Sequence, residues 1–84
     1  MYPHIFRPSV DKYLSKLEFR SRAIIIKKLD FYLSQKDPFK FAEKIRDNKA
    51  GDYRFRIGNY RAIFDIEDGI IIINLIDRRD KIYK

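Results

Sequence analysis

Two dipeptides, Gly58-Asn59 and Asp68-Gly69, constrain this chain more than anything else in it. Each suits a two-residue hairpin turn, because Gly, Asn and Asp tolerate the left-handed backbone that such turns require. Before the first turn, Tyr53, Phe55 and Ile57 alternate with Arg54 and Arg56; after it, Tyr60, Ala62, Phe64 and Ile66 carry the next run. Beyond the second turn, Ile70 to Ile76 is apolar on both faces, the signature of a central or covered strand. From Gly51 onward the spacing predicts a three-stranded antiparallel meander.

Ahead of the meander the period is helical. Residues 2–6 can form a short strand, placed toward an edge because Pro3 has no backbone N–H to donate. Ser9 reads as a helix N-cap with Asp11 in the first turn, and Val10, Tyr13, Leu14 and Leu17 make one apolar stripe. After a break near Glu18–Phe19, Ser21 reads as a second cap. Ile25, Ile26, Leu29, Tyr32 and Leu33 form the next stripe, with Lys27, Lys28 and Asp30 facing out. Asp37-Pro38 ends that helix, because proline disfavours helical backbone in the residue before it. Phe39 to Ala50 is read as a loop with a little structure. The expected fold is α+β, one domain over residues 1–84: a short strand, an αα-hairpin, and the meander with the helices packed on one sheet face.

The turns also fix the pairing. Two-residue loops set Ile57 opposite Tyr60, Arg56 opposite Arg61 and Arg54 opposite Ile63; across the second hairpin they set Glu67 opposite Ile70, Ile63 opposite Asn74 and Arg61 opposite Ile76. One face then carries Tyr53, Phe55, Ile57, Tyr60, Ala62, Phe64, Ile66, Ile71, Ile73 and Leu75, which must pack on the helices. The other carries Arg54, Arg56, Arg61, Ile63, Asp65, Ile72, Asn74, Ile76 and Arg78. Like charges directly opposite across strands are destabilising. Arg56 facing Arg61 therefore reads as a preorganised anion site, since guanidinium forks grip phosphate bidentately. The alternative is that these arginines only solvate an exposed sheet face or contact nearby carboxylates.

Composition points the same way. The 84 residues carry a formal charge of +7, so nucleic acid, an acidic protein segment or anionic lipid is the expected partner class. Without cysteine there is no disulfide, thiolate nucleophile or cysteine zinc site, and one histidine excludes a two-histidine acid–base pair. No apolar run approaches signal-peptide length or the roughly 20 residues of a spanning helix, so a soluble cytoplasmic protein with no membrane partner is expected. His4 is assigned a structural role, and Asp65, Glu67 and Asp68 turn or strand-end roles rather than metal ligation. Tyr60 is assigned to the core. Ser9, Ser21 and Ser34 lack a partnering base, and Lys12, Lys16, Lys27 and Lys28 are read as a solvated face, with a non-specific charge grip on RNA as the alternative.

The segment Tyr53-Arg54-Phe55-Arg56-Ile57-Gly58-Asn59-Tyr60-Arg61-Ala62-Ile63-Phe64 resembles the "Y-R-x-R-x-G-x-Y-R-x-x-[YF]" motif of the RelE/ParE toxin superfamily. Ile76-Asp77-Arg78-Arg79-Asp80-Lys81-Ile82-Tyr83 is similar to its closing "I-x-[HR]-R-x-x-[VI]-Y", and Ala42-Glu43-Lys44-Ile45 before the meander also fits. The resemblance implies the toxin of a type II toxin–antitoxin pair, bound by an acidic antitoxin in a hetero-oligomer. For RelE-like members it implies cleavage of mRNA in the ribosomal A site by 2′-OH attack on the adjacent phosphate, with no metal or cofactor. ParE-like members instead poison DNA gyrase, and a third class is a binding module whose arginines hold only the antitoxin. The mapped site is Arg54, Arg56, Arg61 and Arg79, with Tyr83 as the terminal aromatic that stacks on a base or assists at the 2′-OH. Arg54 and Arg61 would hold the scissile phosphate. Arg56 stands where many relatives have a lysine general acid, and Arg78 where many have a histidine; arginine is a poor proton donor near neutral pH. Strict alternation would put Arg78, not Arg79, on the arginine face, so the strand is expected to end or bulge near Asp77.

Overall fold

The chain opens on a three-residue strand, His4–Phe6 (β1), in a computed structural model that describes residues 1–82. Pro3 stays outside the strand, and its carbonyl accepts from Ile71 N–H at 3.0 Å. Helix α1, Pro8–Lys16, has Pro8 at its first position, where the missing N–H costs nothing. Its N-cap is Arg7, so Ser9 lies inside the first turn rather than capping it; Asp11 does occupy that turn. Helix α2, Phe19–Leu33, is capped by Glu18, whose carboxylate accepts from Arg20 N–H at 3.2 Å, and Ser21 is one turn too late to be the cap. Ile25, Leu29, Tyr32 and Leu33 are buried as expected, but Ile26 sits off that arc and is exposed.

The stretch read as a loop contains a 3-10 turn, Pro38–Phe41, and a strand, Ala42–Lys44 (β2). The meander follows as Tyr53–Ile57 (β3), Tyr60–Glu67 (β4) and Ile70–Arg78 (β5), closed by a helical turn, Arg79–Ile82 (α3). The sheet is therefore five-stranded and mixed, in the order β1-β5-β4-β3-β2, with β1 parallel to β5 at one edge and β2 antiparallel to β3 at the other. Asp68 and Gly69 both have positive φ, as the second turn demands. Among the described residues no helix is long and apolar enough to cross a membrane.

Registers β3–β4 and the start of β4–β5 are as the turns dictate: Arg56 faces Arg61, Arg54 faces Ile63 and Glu67 faces Ile70. A bulge then intervenes. Phe64 pairs with Ile73 but Ile63 pairs with Leu75, so Asn74 is the extra residue, and Arg61 faces Asp77 instead of Ile76. The bulge reverses the alternation for the rest of β5. Ile76, not Leu75, joins the core, and Ile66 at the hairpin end is 36% exposed.

The helix-side core is built on an aromatic stack: Phe55 lies 4.6 Å from Phe64 and 4.8 Å from Tyr32, centroid to centroid. Val10 and Leu14 of α1 and Ile25, Leu29 and Leu33 of α2 complete it, with Tyr60 packed at the margin. The opposite face is partly covered too, by the segment joining β2 to β3. Asn74 Nδ2 donates to the Ala50 carbonyl at 2.7 Å, and Asp52 N–H donates to Asp65 at 2.9 Å. Ile63 is wholly buried there. Gly51 is the point of closest approach: a Cβ would stand 2.8 Å from the Phe64 carbonyl oxygen and 3.0 Å from Ile63 Cγ2. Gly51→Ala should therefore lower unfolding free energy by about 1–3 kcal/mol, the usual cost of overpacking, as read from urea denaturation.

Candidate phosphate-binding face

The backbone that carries the arginines is fixed from the helix side. Tyr32 of α2 donates its hydroxyl to the Arg56 carbonyl at 2.7 Å, and burial raises the pKa of that phenol above its ordinary value. With Phe55 and Ile57 buried beneath, Arg54 and Arg56 have to project to the other face.

Three of the sequence-assigned residues meet on that face in different states. Arg56 is the most exposed, its side chain 59% accessible. Arg54 is half-covered and donates Nη2 to Glu43 Oε2 at 3.3 Å. Arg61 is buried, 3% exposed, and its Nη1 donates to the carbonyls of Gly58 and Tyr60, both at 2.7 Å. The guanidinium of Arg61 thus clamps the hairpin turn that precedes it. Arg79 reaches the same end of the sheet by a different route. Strand β5 stops at Arg78, α3 begins, and Arg79 N–H donates to the Asn59 carbonyl in that turn at 2.8 Å. Its side chain is exposed beside Arg78 and Asp80, which pair at 3.5 Å. The strand thus ends one residue after Asp77, as expected, and the bulge at Asn74 has already reversed the alternation ahead of it. Tyr83 lies outside the described residues.

Glu43 is the group that sequence reasoning missed. On β2 it stands in register with Arg54, and its other oxygen lies 3.7 Å from Arg56 Nε. The hydrogen bond from Arg54 holds its carboxyl below the usual range, against the upward push of burial, and the charges of Arg54, Arg56 and Arg61 add to the lowering. One carboxylate among three guanidiniums leaves the face positive while relieving the Arg56–Arg61 opposition. The stretch Ala42-Glu43-Lys44-Ile45 fits the family resemblance, but as a strand the three residues Ala42–Lys44 are too short for their alternation to stand out.

The remaining polar groups near the site are structural. Asp77, opposite Arg61, accepts from Tyr13 hydroxyl at 3.2 Å and from Arg78 N–H at 2.7 Å; burial first, then Asp77, pushes the Tyr13 phenol up to about 12. Asp65 accepts from Asp52 N–H and from Asn74, and His4 donates Nδ1–H to the Tyr2 carbonyl at 2.8 Å. Among the described residues no three His, Asp or Glu side chains converge as a metal cage.

This arrangement can bind an oxyanion at Arg56 and Arg79 without unfolding anything, whereas Arg54 and Arg61 can contribute charge from positions already anchored. The Glu43 linkage has a definite sign. A carboxyl whose folded pKa is depressed stabilises the fold above its unfolded value of about 4.3 and loses that contribution as pH falls through the folded value. Between pH 7 and pH 3 the wild type should therefore lose more stability than Glu43→Gln, measured by urea denaturation at each pH. Equal losses would remove Glu43 from the network.

No family model matches the sequence, and no curated protein matches it. Solved structures do. A chain of a RelBE toxin–antitoxin complex from Mycobacterium tuberculosis is 28% identical and superposes with a TM-score of 0.75, covering 93% of this chain and 98% of that one. The archaeal RelE–RelB complex from Pyrococcus horikoshii gives 26% identity and a TM-score of 0.68, over 93% and 94% of the two chains. The RelB–RelE complex from Methanococcus jannaschii gives 26% and 0.57, over 94% of each.

Proposed function

We propose that this chain, which is similar to RelE toxin chains by motif and fold, is the toxin of a type II pair whose arginine face takes an RNA backbone. The finer reading is a ribosome-dependent mRNA endonuclease. The RNA 2′-oxygen attacks the adjacent phosphorus, the bond to the 5′-oxygen breaks, and a cyclic 2′,3′-phosphate and a 5′-OH result. The 2′-OH proton goes to a base, and the leaving oxygen takes a proton from water or ribosomal RNA, since Arg56 is a poor donor. The observation that carries this reading is the crowding of Arg54, Arg56 and Arg61 on one strand pair, with Arg79 held at the same turn by Asn59. Arg54 and Arg56 would orient the phosphate, and Arg79 would balance charge developing on the equatorial oxygens. An acidic antitoxin is the expected partner, and Tyr83 is proposed as the base-stacking or 2′-OH-assisting aromatic.

One observation favours a second reading, in which the chain is a weak nuclease and chiefly an antitoxin-binding module. Arg61 already spends Nη1 on two carbonyls and is buried, so it serves the turn whether or not RNA is present. ParE-like gyrase inhibition has no comparable support.

Burial decides which variants test function cleanly. Arg61→Ala removes charged hydrogen bonds worth about 1.5–3 kcal/mol and should destabilise the fold, so its loss of toxicity would be ambiguous. Arg56→Ala and Arg79→Ala should leave stability within about 0.5 kcal/mol. Each should weaken single-stranded RNA binding and flatten the dependence of log K on log salt by about 0.7. In cells, induced wild type should generate mRNA 5′-OH ends in codon register, and Arg79→Ala should not. DNA breaks with intact translation would move the chain to the gyrase class; no cleavage with intact antitoxin binding would leave the module.

A further inference from the structure

A carboxylate already sits where an incoming oxyanion would go. Glu43 lies on the three-residue strand β2, in register with Arg54, and turns one oxygen toward each arginine of β3. Its Oε2 is 3.3 Å from Arg54 Nη2 and its Oε1 is 3.7 Å from Arg56 Nε. A phosphodiester carries the same single negative charge and offers two free oxygens to guanidiniums. The side chain is thus an internal stand-in for a phosphate, and the two cannot fill the same gap at once.

Three features make this contact exchangeable. Its fit is incomplete, since Oε1 is buried and accepts no hydrogen bond among the described residues. It is screened by water, with the side chains of Glu43 and Arg56 43% and 59% exposed, and ion pairs so exposed contribute little. It also hangs from the rim of the sheet: β2 pairs only with β3, so Glu43 can rotate into solvent without parting two strands. Arg61 is the opposite case, because dislodging it would open the turn whose Gly58 carbonyl it holds.

Two roles for Glu43 give opposite results when it is removed. As a brace that orders the guanidiniums, its loss would weaken anion binding; as an occupant, its loss would strengthen it. The loose, two-armed contact fits the occupant. We propose that Glu43 is a resident competitor for the Arg54–Arg56 pair, which an incoming phosphate group must displace before both arginines can hold it. The proposal rests on the reading of this face as a phosphate site and is independent of cleavage.

The test titrates the full chain with inorganic phosphate and with a single-stranded 2′-O-methyl RNA oligonucleotide, which lacks the attacking hydroxyl. Calorimetry gives the affinities, and carbon and nitrogen chemical shifts follow the Glu43 carboxyl and Arg54 Nε. Glu43→Gln should tighten phosphate binding by about fivefold or more. For the oligonucleotide it should steepen the dependence of log K on log salt by about 0.7, one further phosphate contact. Glu43→Asp keeps the charge but withdraws the carboxylate by about 1.5 Å, one carbon–carbon bond, and should share in the gain. Arg54→Ala in the Glu43→Gln background should cancel it. In the wild type, bound oligonucleotide should move the Glu43 carboxyl and Arg54 Nε resonances together, which requires no variant to fold. Weaker phosphate binding by Glu43→Gln, a Glu43→Asp variant that binds like wild type, a gain that survives Arg54→Ala, or a Glu43 resonance unmoved by bound oligonucleotide would each overturn the proposal. A gain in phosphate affinity in a chain that binds no oligonucleotide would reject the RNA-backbone reading alone. Arginine-dependent RNA binding with no gain on removing Glu43 would reject this proposal alone.

Discussion

The register of β3 against β4 governs the whole molecule. Pairing Phe55 with Ala62 and Tyr53 with Phe64 turns the aromatic side chains toward α1 and α2, where the stack of Tyr32, Phe55 and Phe64 forms the centre of the core. The same pairing sends Arg54, Arg56 and Arg61 the other way. Because side chains alternate with a period of two, a one-residue slip would bury the guanidiniums and expose the aromatics. Core and site are thus two consequences of one pairing. The hydrophobic free energy that holds the helices on also sets the arginines on the opposite face of the sheet.

Opposing arginines are a cost, and the fold meets it locally. Glu43 arrives from β2 to neutralise part of the charge, and its depressed carboxyl pKa records that attraction. Arg61 is treated differently: buried and bonded to the Gly58 and Tyr60 carbonyls, it is coupled to the geometry of the turn at which Arg79 is also anchored through Asn59. Exposed Arg56 and Arg79 keep the freedom to meet a ligand, and the longer Arg56–Glu43 contact of 3.7 Å is of the weak, solvent-screened kind. The face therefore combines anchored charge with available charge, which is what electrostatic preorganisation requires.

The two sides of the sheet then divide the labour. The arginine side is polar and bounded by the segment before β3 and by α3. The helix side carries an apolar groove with a lysine rim. Gly58 belongs to both, lining the groove while its carbonyl holds Arg61. The β3–β4 turn is where the two surfaces come nearest.

The hairpin dipeptides and the two-residue period were enough to determine the meander, its first register, the apolar face and the crowding of Arg54, Arg56 and Arg61. These are local properties: turn chemistry and alternation act over neighbouring residues and require no knowledge of the rest of the chain. Helix starts were legible only to within a turn, because Pro8 at the first helical position and the Glu18 carboxylate took the roles assigned to Ser9 and Ser21. The tertiary structure alone decided the bulge at Asn74. Its amide bonds Ala50 and Asp65 through Nδ2 and accepts from Arg7 Nε at 3.0 Å; the Ala50 and Arg7 contacts come from segments outside the hairpin. That bulge exchanged Leu75 for Ile76 in the core, and the end of β5 at Arg78 carried Arg79 to the Asn59 turn. The pairing of Glu43 with Arg54 is of the same kind. Three residues carry too little alternation to declare themselves a strand, and only the edge of an already formed sheet makes them one.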